Sequence, residues 1–174
     1  MRYTMRSGVL YETQANHSLA AIRGQLTGMN KKILTENRVL AAQLNAPDAQ
    51  DDASGDARRH EYVLTDDHDR VVAVAHPGYA EGEAPDAAGW PLDRMPLVDH
   101  ADAMIGGRPF DLVMHSSQYY TLNDKDGNEV TRVLHKGLSG GWTIDDSASF
   151  PPEVLCGLFV FCRYIEEENE FLTV

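Results

Sequence analysis

The sequence predicts a mainly β fold, an antiparallel sheet closed into a barrel around one long C-terminal helix. Two patterns carry that prediction. Three segments each repeat an apolar run, a polar turn and a second apolar run, as β-hairpins do. One late segment is apolar around its whole circumference, and a helix of that kind must be enclosed on every side.

The hairpins span Lys32–Leu44, Tyr62–His76 and Tyr120–His135, with a polar turn that lengthens by a residue or two each time. Phe110–Met114 and Trp142–Ile144 supply further strands, and the irregular spacing excludes a solenoid. Residues 46–60 open with Ala46–Asp56, where no bulky apolar side chain offsets the entropy of ordering, so a mobile acidic loop is expected there. A second stretch, residues 77–96, mixes Pro, Gly, Ala and acids and reads as a long irregular loop.

The helix is predicted over residues 152–168. Pro151 and Pro152 precede Glu153, in a first turn whose amides lack intrahelical acceptors and so tolerate proline. From Val154 to Ile165 apolar groups point in all directions, and Leu155, Leu158, Phe159, Phe161, Cys162 and Ile165 are the expected core. No other segment offers a partner helix of similar length, whereas a closed sheet would bury this one and remove its own exposed edges. The acidic run Glu166–Glu170 is unsuited to burial and should emerge at one mouth. The competing arrangement is an α+β sandwich with the helix between sheet and loops.

Length and charge bound the function. The chain has 174 residues, enough for one domain over 1–174, and 15 basic against 27 acidic side chains give a formal charge of −12. That balance disfavours nucleic acid as a partner, because binding to a polyanion relies on Lys and Arg to release counterions. The opening residues show no signal-peptide pattern and the most apolar run, Val154–Cys162, is too short to span a bilayer, so a cytoplasmic protein without a transmembrane span is expected. Cys156 and Cys162 lie about 9 Å apart along a helix rising ~1.5 Å per residue, out of disulfide reach.

The series ending in Tyr119–Val130, then Gly141–Ile144, then the apolar helix from Pro152 to Ile165 resembles the tubby C-terminal-like superfamily, in its LURP-one-related and phospholipid-scramblase-like branch. The likeness covers most of the chain from Leu34 onward. It implies a closed barrel of about 12 strands around a central hydrophobic helix. It also implies possible roles: tubby relatives bind phosphoinositide head groups through a basic surface, scramblase-like members are linked to lipids and calcium, and many microbial members look non-enzymatic. Residues 1–47 carry a balance of +4 in this otherwise acidic chain, so Arg23, Lys31, Lys32 and Arg38 are the candidates for contact with anionic lipid head groups. Bases that flank strands are more often a solvated face.

Catalytic and metal motifs are weak. Gly137–Gly141 matches G-x-S-x-G, but strand-like Trp142–Ile144 follows where a helix should, and no histidine comes after His135. Asp124, Asp126 and Asn128 around Gly127 match the start of a calcium loop, yet the twelfth position is His135 rather than glutamate, and Asp-Gly is ordinary turn chemistry. The seven histidines show no zinc spacing, and no phosphate-cradling glycine loop is present, so no cofactor is expected. The expectation is a non-catalytic barrel binding a protein or small ligand at a mouth or through its loops, with Trp90 and Met95 as partner-contact candidates. The rival readings are a peripheral lipid binder and an enzyme using His68 or His100 with the acids beside them.

Overall fold

The computed structural model describes residues 1–24, 30–45, 61–81, 97–137 and 140–170. They form β1 (Arg2–Arg6), β2 (Val9–Glu12), β3 (Ser18–Arg23), β4 (Asn30–Leu34), β5 (Val39–Asn45), β6 (Glu61–Thr65), β7 (Val71–Tyr79), β8 (Val98–Ile105), β9 (Arg108–Ser116), β10 (Tyr119–Asp124), β11 (Glu129–His135), β12 (Trp142–Asp146) and α1 (Pro152–Glu170). Each strand pairs antiparallel with its neighbours in sequence, and β1 closes the barrel against β12 with Tyr3 opposite Ile144. Closure leaves no exposed sheet edge.

An eight-stranded barrel is filled by its own side chains, whereas a wider one encloses space they cannot fill. Here α1 fills it. Leu155, Leu158, Phe161, Cys162 and Ile165 are buried, and Phe159 is half-buried with its ring 5.4 Å from that of Trp142 on β12. The helix lies off centre, packed on the wall from β3 to β9. Much of that wall presents small inner residues, among them Ala20, Ala42, Ala73, Ala75, Ala101 and Ala103, while Tyr3, Met5, Tyr120, Trp142 and Ile144 reach in from the far side. On β6 the helix makes room instead: Gly157 faces Leu64, and a Cβ there would stand 2.6 Å from its Cδ2.

The two mouths differ. At the lower one, where α1 begins, the strands join through tight turns: residues 35–38, 66–70, 106–107 and 125–128. Ile105 and Arg108 are bridged by Gly106 and Gly107, both at positive φ (54° and 76°), as a two-residue hairpin requires. Asp146 shapes the approach to the helix, accepting hydrogen bonds from the Thr131 hydroxyl (3.0 Å), the Ala148 amide (3.2 Å) and the Phe150 amide (2.9 Å). Phe150 then packs edge-on against Phe110, and the Pro151 carbonyl accepts from the amides of Val154 and Leu155.

At the upper mouth polar groups moor the end of α1 to the wall. The Tyr164 hydroxyl donates to the Ala42 carbonyl (3.1 Å), Tyr62 donates to Glu168, and the Asn169 side chain both donates to the Val98 carbonyl (2.8 Å) and accepts from its amide (3.0 Å). These bonds correct the expected helix end: α1 runs to Glu170, and Glu166–Asn169 are half-buried.

Two further expectations change. Residues 77–79 belong to β7, not to a loop, because β8 supplies a pairing partner as far as Val98, and the ladder absorbs Pro77 with a bulge at Gly78/Tyr79. Asp99–Asp102 lie within β8 rather than at a loop edge. There Ala101, Ala103 and Ile105 face the helix, while Asp102 and Met104 point outward. The expected loop over residues 46–60 and the Trp90 and Met95 positions lie outside the described residues.

Candidate functional site

The lower mouth is built by turns that converge on the first turn of α1. Two clefts open there, one of about 440 Å³ and one of about 290 Å³. Arg38, in the turn between β4 and β5, and Glu153, in the first helical turn, border both. The Arg38 Nη1 donates to Glu153 Oε1 at 3.1 Å, with the guanidinium largely exposed and the carboxylate nearly buried. This ion pair forms the ridge between the clefts. An acid in a helix's first turn also complements the positive end of the helix dipole.

The larger cleft is polar at its rim, with His17, Ser18, Thr35, Glu36 and Asn37 beside Leu19 and Pro152. The smaller has an apolar floor of Leu40, Val72, Ile105, Phe150 and Val154, bordered by Asp66 and Arg108. Asp66 is already engaged. Its carboxylate accepts from the amides of His68 (2.9 Å) and Arg70 (3.0 Å) and from the Arg70 guanidinium (2.8 Å), and the Arg70 bond in particular holds its carboxyl down at about 2. Arg108 lies 5.5 Å from the centre of the Phe110 ring.

The four candidate bases do not share a surface. Arg23 and Lys32 are cross-strand neighbours on the outer face of β3 and β4. Arg38 stands at the lower mouth, paired with Glu153. Lys31 points into the barrel and is 8% exposed, near Glu167 and Arg163; burial lowers the pKa of its ammonium, partly opposed by Glu167. Lys31 is thus part of the helix mooring, unlike the solvated base expected of a strand margin.

The histidine sites are surface features. His68 Nδ1 meets Asp67 at 2.8 Å in the turn after β6, and His100 Nδ1 meets Asp99 at 2.6 Å on β8. The His100 ring lies over Gly78, a position where any Cβ would overlap it. Asp66, Asp67 and His68 bring three potential ligating atoms within 4.8 Å of one another, but the Asp66 oxygens serve the turn. Asp124 serves its turn likewise, accepting from the Asp126 and Asn128 amides at 2.9 Å; the Asn128 bonds lead in lowering its pKa. Of the G-x-S-x-G match, Leu138 and Ser139 lie outside the described residues. Both thiols are free and buried; burial, then the Glu153 charge, pushes Cys156 up to about 12, and burial raises Cys162 as well.

Glu153, Arg108 and Phe150 went unnoticed in the sequence. Glu153 had a usable signal, an acid directly after Pro-Pro at a helix start; Arg108 had only its place after Gly-Gly. Fold and site together define a helix-plugged barrel with paired clefts at one mouth. Compared with family models, curated proteins and solved structures, the chain matches none. No helix among the described residues is long and apolar enough to cross a membrane.

Proposed function

We propose that this is a non-catalytic barrel that binds a small ligand or a short segment of a partner at its lower mouth. The observation that carries the reading is the pair of clefts on either side of the Arg38–Glu153 bridge, where an apolar floor meets a few convergent charged groups. A catalytic reading has less support: His68 and His100 each meet one neighbouring carboxylate, and neither lines the two clefts of the lower mouth. Kinship with the tubby-like proteins is supported by the architecture alone, twelve strands closed around a helix. A cytoplasmic location accords with two unpaired thiols.

The test is a screen of small acids, amines and neutral fragments against isotope-labelled protein, read by amide shifts. Hits are expected to move Thr35–Arg38 and Phe150–Val154. Hits that cluster elsewhere, or on the histidine turns, would overturn the assignment.

A further inference from the structure

We propose that the smaller cleft takes a monoanionic amphiphile, an apolar body ending in one carboxylate, with Arg108 holding the anionic group. The proposal rests on the reading that the lower mouth binds a ligand, and it adds the ligand's chemistry. The apolar floor of Leu40, Val72, Ile105, Phe150 and Val154 requires an apolar body.

The charges at the rim fix the rest. Arg38 is matched by Glu153 and Asp66 by Arg70, so each of these pairs is internally neutral. Arg108 rests against the Phe110 ring and has no carboxylate partner among the described residues. One guanidinium is left over. Its planar fork suits a carboxylate, which it can hold with two parallel hydrogen bonds. A single unmatched cation on a chain of net charge −12 favours a monoanion over a dianion such as a phosphate monoester. A volume of about 290 Å³ corresponds to roughly ten waters at ~30 Å³ each, which limits the body to a short chain or a single ring.

Octanoate, octylammonium and octanol are three probes that share a body and differ in head group. Each is titrated into the full, labelled chain below its aggregation limit. Octanoate should shift Arg108, Phe150 and Val154 saturably. Arg108→Gln should weaken it at least tenfold and Arg108→Lys less, while Arg23→Gln, on the outer face of β3 away from the cleft, leaves it unchanged. Arg108→Glu should reverse the preference toward octylammonium, a gain that a misfolded variant does not show. Octanol binding as tightly as octanoate, or R108Q without effect, would overturn the anion assignment while the cleft reading stands. Silence of the cleft toward all three probes would overturn both.

Discussion

Replacing Gly157 with alanine sets two effects of opposite sign against each other at one atom. In an unobstructed helix interior the change stabilises by about 1 kcal/mol, the difference in helix propensity. Here the new methyl would meet Leu64 at 2.6 Å from Cδ2, 3.2 Å from Cδ1 and 3.4 Å from Cγ, so the whole head of that side chain is in its way. Leu64 is itself fully buried and has no free space to turn into. Overpacking of this kind costs about 1–3 kcal/mol, and with the whole Leu64 head obstructed the upper part of that range applies. Net destabilisation is therefore about 1–2 kcal/mol, or ~2–8 °C in Tm for a chain of this size. Urea unfolding at constant m measures it. The decisive comparison uses Leu64→Ala, which alone costs about 2–5 kcal/mol; in that background Gly157→Ala should turn stabilising by up to about 1 kcal/mol. Stabilisation of the wild-type background, or additivity of the two changes, would refute the claim that the helix is seated against β6 at this point.

Three other outcomes follow from the same contacts. Asp146→Ala leaves the Thr131 hydroxyl and the Phe150 amide without their acceptor and should destabilise by about 2–4 kcal/mol in thermal or urea unfolding. Asp146→Asn, which keeps one acceptor oxygen, should lose less. Cys156 and Cys162 should ignore an aromatic disulfide reagent at pH 8 in the folded chain and react at once in denaturant, because burial keeps both thiols protonated; a native-state reaction within minutes contradicts this. Asp66 titrates in the folded state near 2, below its ordinary value, so its contribution to the turn is complete above that ordinary value and fades as pH falls through about 2. Carboxyl-detected NMR should find that midpoint, and Arg70→Gln should move it back toward the ordinary range.

The legible part of the fold was the part made of large apolar side chains. Val154–Ile165 announced an enclosed helix because Leu, Phe, Val and Ile occupy every direction around it, and the three hairpins had Val, Ile, Leu or Tyr on both arms. Strands β1, β2, β3 and β8 went unassigned, β3 and β8 for a reason that lies in the helix. Where α1 approaches the wall, inner residues must be small, so β3 buries Ala20 and β8 buries Ala101 and Ala103, which score poorly as strand formers. The short lengths of β1 and β2, five and four residues, gave too few alternations to read. The site was less visible still. Arg38 drew attention as one of several N-terminal bases, but its partner Glu153 lies at the opposite end of the sequence, and the clefts exist only because separate turns meet around the helix. Lys31 was misjudged because charge alone does not reveal which face of a strand a residue occupies; the alternation with buried Ile33 does.

The central claim, a helix sheathed by strands on all sides, is tested most directly by a soluble paramagnetic probe. Methyl groups of Val154, Leu155, Leu158 and Val160 are spread around α1, which turns about 100° per residue, and are all buried. With a neutral gadolinium chelate in solution, all four should keep their signal while those of Val39 and Val71 on the outer wall are bleached. Loss of signal along one continuous side of the helix would mean that the barrel does not enclose it.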